Sequence, residues 1–263
     1  MTLRSWRRVI HVEGLFMLLK DITLATPQEN ILYDNVLMKL AEHGEGEEAL
    51  RFWESEELFI VLGRIGNPAA DLRIEKVLAD RVPVLRRSSG GGTVLQGKGC
   101  LNYTLVLSKE RPEIQDLRRS YQFILGHVVA ALKNLGIDAA CRPLSDIALT
   151  RNNKKISGNA QKRSKKFILH HGTLLYGFDL QKIENYLAMP KDVPEYRQNR
   201  SHLDFVANLE IGANALKEEI TRNFNVTREA GCLSQKEKDY LHRLLTTSNG
   251  TLDLTPSLQS AKN

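Results

Sequence analysis

Apolar and polar positions change period along the chain, and the changes mark out its elements. Thr26-Pro27-Gln28-Glu29 is a capping box with proline at the first helical position, and Ile31, Leu32, Val36, Leu37 and Leu40 follow at helical spacing. That helix should end by Gly44-Glu45-Gly46. Residues 57–63 have the aromatic, β-branched, glycine-bounded character of a buried strand, and Asp71 then reads as the cap of a short helix reaching about Ala79. Residues 82–87 and 101–107 read as two further strands. A long helix is predicted over 112–135, with Tyr121, Ile124, Leu125, Val128, Val129, Leu132 and Leu135 on one face and Gly136 as its stop. Residues 137–142, 146–150, 155–162 and 167–176 are strand-like, with Asn152-Asn153 and residues 163–166 as turns. The remainder is mostly helical in pattern: Ala213, Leu216, Ile220 and Phe224 share a face, and Ser234 with Glu237 opens a last helix. The even βαβα rhythm of a doubly wound sheet is missing. The expected fold is therefore α+β, a single domain with a mixed, mostly antiparallel sheet flanked by helices.

Composition narrows the function classes. The chain has 263 residues, 42% hydrophobic and 26% charged, which excludes chain-wide disorder. Its three cysteines, Cys100, Cys141 and Cys232, are far apart and form no C-x-x-C, against a disulfide scaffold or a structural zinc site. The apolar run at residues 15–19 is too short for a membrane span and lacks a signal-peptide cleavage site, so a cytoplasmic location with no membrane partner is expected. A formal charge of +6 attracts polyanions weakly and suits an enzyme with an anionic substrate; a nucleic-acid partner is not expected.

Candidate chemistry concentrates in three places. Arg86-Arg87-Ser88-Ser89-Gly90-Gly91-Gly92-Thr93 follows a strand with two guanidinium groups, hydroxyls and three residues free to adopt positive φ. Such a loop can turn backbone N–H groups toward a phosphate or carboxylate. It is neither a Walker A loop nor a dinucleotide fingerprint. In strict strand alternation Lys155, Ser157 and Asn159 share one face, Ile156 and Gly158 the other, so that Lys155 can reach an anion. His170 and His171 must face opposite ways, one packed and one on the side of Lys155. Asp146 is a candidate to hold Mg²⁺ beside a phosphate or to fix a lysine. No Gly-x-Ser-x-Gly elbow and no defensible Cys-His pair supports covalent acyl-enzyme chemistry.

Taken in order, these segments resemble the lipoate-protein ligase A family of the biotin/lipoyl ligase and octanoyltransferase superfamily. The resemblance spans residues 23–209 and rests on Leu62-Gly63-Arg64 with Asn67-Pro68, on the glycine loop continuing to Gly99 and Leu101-Asn102-Tyr103, on Ser145-Asp146-Ile147 with Lys155-Ile156-Ser157-Gly158-Asn159-Ala160-Gln161, and on His171-Gly172-Thr173-Leu174-Leu175. It implies a catalytic domain of the biotin/lipoyl ligase type at 23–247, an extension at 1–22 and a tail at 248–263. It also implies a reaction in which lipoate and ATP give lipoyl-AMP and pyrophosphate, after which a lysine of an acceptor protein is acylated. By resemblance Lys155 is the catalytic residue. Arg87, Ser89, Gly90, Gly91, Gly92, Thr93, Asn102, Asp146, Ser157, Gly158, Asn159, His171, Gly172 and Thr173 contact lipoate or the adenylate, with Asp146 also a Mg²⁺ ligand. The implied acceptor is a lipoyl domain or a glycine-cleavage H-like protein.

Three departures accompany the resemblance. Gln96-Gly97 stands where such ligases usually carry His-Asp, and residues 210–263 are too few for the family's full C-terminal accessory domain, whose place a separate accessory protein could take. The shorter length is shared with cysteine-dependent octanoyltransferases of the same fold, the main alternative. Their nucleophile would have to be Cys141, which instead reads as a small buried hydrophobe, as does Cys100. A further alternative is a non-catalytic module binding an acyl-adenylate or nucleic acid. Residues 194–205, polar and aromatic, are expected to form a lid or an acceptor-docking edge.

Overall fold

The hydrophobic runs and caps resolve, in a computed structural model describing residues 17–143, 145–190 and 193–247, into eleven strands and eight helices. In chain order these are β1 (Leu18–Asp21), α1 (Pro27–Glu42), β2 (Ala49–Trp53), β3 (Phe59–Leu62), α2 (Pro68–Asp71), α3 (Ile74–Ala79), β4 (Val84–Arg86), β5 (Val94–Gln96), β6 (Cys100–Ser108), α4 (Leu117–Asn134), β7 (Ala139–Arg142), β8 (Asp146–Leu149), β9 (Lys155–Arg163), β10 (Phe167–Leu175), α5 (Gln181–Tyr186), α6 (His202–Phe205), α7 (Ala213–Asn223), β11 (Arg228–Glu229) and α8 (Gln235–Thr246). The expected tail 248–263 and residues 1–16 of the expected extension lie outside the described residues. Strand β1, within that extension, belongs to the main sheet.

Capping chemistry starts several helices as the sequence predicts. Thr26 and Ser234 each form a complete capping box, with Glu29 and Glu237 reaching back to the cap amides. Two expectations are corrected. Asn67, not Asp71, caps the first short helix by accepting from the Ala69 N–H, and Asp71 lies inside that helix. The long helix predicted from Pro112 is interrupted: Pro112–Ile114 makes one 3₁₀ turn, and Asp116 then accepts from the Arg119 N–H and starts α4 afresh. An aspartate side chain competing for backbone donors favours such a restart.

Eight strands form one sheet in the order β11-β1-β2-β6-β10-β9-β8-β7, antiparallel from β2 through β7 and parallel at β1. A smaller sheet, β4-β3-β5, carries the glycine loop between β4 and β5. One face of the large sheet presents Leu50, Phe52, Leu101, Tyr103, Leu105 and Leu174 to α4 and α7, in the largest apolar cluster. The opposite face presents Val106 and Leu169 to α1 and α8 at one end. Helix α1 also packs against the small sheet through Ile31, Trp53, Phe59, Val61 and Leu85. The glycine loop is thus brought over the second face of the large sheet, beside α1.

Candidate active site

Strand β9 contains an irregularity that decides the direction of Lys155. Gly158 pairs with Asp146 and Ser157 with Ile147, but Ala148 then pairs with Lys155, so Ile156 is an extra residue in β9. Such a bulge interrupts the two-residue alternation. Lys155 therefore does not share a face with Ser157 and Asn159, as strict alternation would require. Its ammonium lies over Gly158, where an added Cβ would sit 3.0 Å from Nζ. Ser157 and Asn159 point into the opposite, α4-facing side, where the Tyr103 hydroxyl donates to Asn159 Oδ1 and Asn159 Nδ2 donates to Ser157 Oγ at 3.2 Å and to the Ser145 carbonyl at 2.8 Å. Both residues support the sheet from behind.

Lys155 Nζ is 2.7 Å from Asp146 Oδ1, and the Tyr196 hydroxyl donates to Asp146 Oδ2 at 2.6 Å. Burial and the adjacent Asp146 carboxylate push the Tyr196 phenol above its ordinary range, so it stays a donor. The segment bearing Tyr196 is fastened to the same strand, because the Ala207 N–H donates to the Lys155 carbonyl at 2.9 Å. Asp146 thus acts as the lysine-fixing group, one of its two expected roles. Both of its oxygens are engaged, and among the described residues no group of three His, Cys, Asp or Glu side chains could hold a metal. These residues do not fit a protein-held Mg²⁺.

The glycine loop is built around Arg87. Its guanidinium is buried and donates to Ser89 Oγ and to the carbonyls of Gly90, Gly92 and Val61. Burial lowers its pKa to about 10, leaving it cationic at neutral pH. Most of its donors are spent on the loop's own carbonyls, so Arg87 shapes the loop. The neighbouring Arg86 does the same for the preceding turn, donating to the Gly63, Arg64 and Gly66 carbonyls. Gly91 has φ +86°, and a Cβ on Gly63 would come within 2.0 Å of the Gly91 carbonyl, so the two backbones meet because both are glycine. Space around Gly90 and Gly92 is open, with no atom within 4 Å of an added Cβ. Thr93 turns away from the crevice and donates to Asp71 at 2.6 Å.

The floor facing this loop comes from β9, β10 and β6. Ser89 Oγ lies 2.7 Å from His171 Nε2, and behind His171 sits Asp34, its Oδ2 at 3.9 Å from Nδ1. Asp34 pairs with the fully buried Arg51 at 2.6 Å and accepts from Thr104 at 2.8 Å. Burial pushes the Asp34 carboxyl up, but Arg51 and His171 outweigh it and hold it below the ordinary aspartate range. Sequence reasoning missed Asp34 and Arg51; the signal was a lone arginine inside the apolar run Ala49–Trp53. His170 faces the other way, fully buried between Tyr103 and Tyr121, and desolvation drops its pKa to about 3. Gln96, Asn102 and Thr173 close a triangle: Gln96 Nε2 donates to Thr173 Oγ1, that hydroxyl to Asn102 Oδ1, and Asn102 Nδ2 to Gln96 Oε1. Gly172 contributes close packing, since an added Cβ would lie 1.9 Å from Asn159 Oδ1 on the rear face.

Lys155, Gly158, Ala160, His171, Thr173, Asn102 and Asp146 therefore lie on the one face of the large sheet that the glycine loop, through Ser89 and Gly91, covers, the candidate crevice. An ammonium at one end and a glycine loop with open space at Gly90 and Gly92 alongside suit an elongated molecule with an anionic head. Cys141 stands apart. It pairs with Ile147, which pairs with Ser157, so it lies on the rear face; it is exposed at the edge strand, where a buried position was expected, and partial desolvation of its thiol raises the pKa. Cys100 is fully buried, as expected.

The description "Lipoyl protein ligase A/B catalytic domain" matches residues 26–225. The chain belongs to this family. A lipoate-protein ligase A of Psychrobacter cryohalolentis is 38% identical over 138 residues, 52% of this chain and 38% of that protein. The octanoyltransferase LipM of Bacillus subtilis is 24% identical over 255 residues, 85% of this chain and 91% of its own length. The chain spans half or less of the length of the first lipoate-protein ligases it matches. A solved chain from the archaeal lipoylation system of Thermoplasma acidophilum, a bi-partite lipoate protein ligase and its E2 lipoyl domain, superposes with a TM-score of 0.77 at 22% identity, covering 90% of this chain and 95% of that one. The α+β, mostly antiparallel architecture is that of the lipoyl ligase A/B family.

Proposed function

We propose that this protein is an ATP-dependent lipoate-protein ligase. A carboxylate oxygen of lipoate attacks the α-phosphorus of ATP, the bond to pyrophosphate breaks, and lipoyl-AMP results. The amine of an acceptor lysine then attacks the acyl carbon, losing a proton as AMP departs and the amide forms. The observation carrying this reading is the Lys155 ammonium, turned by the bulge onto the face beneath the glycine loop and held in reserve by Asp146. Substrate oxygens would replace the Asp146 carboxylate as its partner, and the same cation would stabilise charge that grows on the phosphate and acyl oxygens. Backbone amides of Gly90 and Gly92, where space is open, would receive the anionic head, while Gly158, Ala160 and His171 would line the slot for the apolar chain. Mg²⁺ would come with the ATP phosphates. The acceptor would be a lipoyl domain or an H-like protein, with a separate accessory protein as a further partner.

Likeness to LipM along most of both chains favours a second reading, acyl transfer between carrier proteins without ATP. That reaction would need a nucleophile beside Lys155, and Cys141 lies on the other side of the sheet. Incubation with lipoate, Mg-ATP and an apo acceptor domain should release pyrophosphate and increase the acceptor mass. Lys155→Ala should slow both by roughly a hundredfold or more. Acceptor acylation from an acylated carrier without ATP, abolished by Cys141→Ser, would refute the ligase reading.

A further inference from the structure

Beside the glycine loop, Gly63-Arg64-Ile65-Gly66 forms a tight turn. The Gly66 N–H donates to the Gly63 carbonyl at 3.0 Å, the Arg64 N–H to the Ser89 carbonyl at 2.8 Å, and Arg86 clamps three carbonyls from beneath. The turn is held by these five hydrogen bonds, yet it leaves Ile65 84% exposed, the most exposed large hydrophobic side chain among the described residues. A pinned turn cannot fold that side chain inward.

Cations lie on the elements that flank the glycine loop. Lys39 lies one turn beyond Asn35 on α1, and Asn35 accepts from Ser88 of the glycine loop. Lys162 lies two residues beyond Ala160, which sits beside Gly91. Burial, and to a lesser extent the nearby Lys39 and Arg64 cations, hold the Lys162 ammonium below the usual lysine range. None of them has an ion-pair partner among the described residues. The nearby acids are already engaged: Glu42 accepts from the Lys166 and Phe167 amides, and Asp71 accepts from Thr93. Three clustered cations without counter-charge repel one another, and an acidic partner relieves that repulsion.

We propose that Lys39, Arg64 and Lys162, with Ile65 projecting from the turn beside Arg64, form the docking surface for an acidic face of the acceptor protein that carries the target lysine. An apolar knob ringed by charge is the anatomy of a protein interface and serves no purpose toward a free phosphate. Rigidity of the turn lowers the ordering cost of association. Surface charges of this kind act on encounter and its salt dependence more than on the bond-making step. The inference rests on the ligase reading, and the two fail differently.

The test separates the half-reactions. Pyrophosphate release from lipoate and Mg-ATP without acceptor should be the same in wild type, in Lys39→Glu/Arg64→Glu and in Ile65→Ser. Transfer to an apo lipoyl domain should show KM raised about tenfold or more in the charge variant, with kcat retained, and added salt should raise the wild-type KM toward the variant's. Ile65→Ser should raise KM without changing the salt dependence. Unchanged transfer KM with normal pyrophosphate release overturns the docking surface alone. So does tight binding of a random-sequence DNA duplex that the charge variant loses while acceptor KM stays constant. Failure of wild type to release pyrophosphate refutes the ligase reading and the docking proposal with it.

Discussion

His170 and His171 are neighbours with opposite fates, set by the pleat. His171 reaches the crevice and Ser89, while His170 is sealed between two tyrosine rings with its pKa near 3. At neutral pH it is an uncharged core residue. Its folded-state pKa is depressed, so its stabilising contribution is complete above the unfolded value of about 6.5 and is lost as pH falls toward 3. His127 and His202, also lowered by burial, add to the same acid-side loss. Urea midpoints measured from pH 7 to pH 4 should therefore decline in wild type. The decline should be shallower in His170→Gln, which removes the largest titrating share.

At the scale of elements, the site depends on one buried ion pair and one bulge. Asp34 of α1 joins Arg51 of β2 and Thr104 of β6, so a helix and two strands meet at a single carboxylate. Asp34→Ala leaves Arg51 buried without its counter-charge and should cost about 3–5 kcal/mol in urea unfolding. Neither feature could be read from spacing alone. The bulge exists only in the pairing of β8 with β9, so alternation assigned Lys155 the company of Ser157 and Asn159, which it does not keep. Strand β2 was hidden because all five of its residues are buried, which erases the polar–apolar alternation, and because an arginine sits at its centre. What was legible had a local cause: the Thr26 and Ser234 capping boxes, the long apolar face of α4, the glycine loop after a strand, and the division of labour between the two histidines. Arg87 was expected as positive charge beside an anion, but its donors mostly serve the loop's own carbonyls.

Across the whole molecule, the last described segments return to the first. Strand β11 pairs with β1, α8 packs on α1, and Lys20 of β1 is buried against Glu237 of α8 at 2.9 Å. Glu237→Ala should strip Lys20 of its partner and lower stability by about 3–5 kcal/mol, measured by chemical denaturation, although neither residue borders the crevice. This closure bears on how the protein is made. On a ribosome, β1 emerges long before residue 237, and until then its lysine has no counter-charge and its outer edge no neighbour. Pairings across most of the chain must also wait for their later halves, which slows folding and lengthens the exposure of unpaired edges. Helix α1, which positions Asp34 beneath the crevice and Asn35 against its loop, is laid down early but secured late. A nascent chain therefore acquires a finished candidate crevice only after Glu237 has emerged, and a product truncated before that residue would leave the ribosome with its lysine motif intact and its scaffold open.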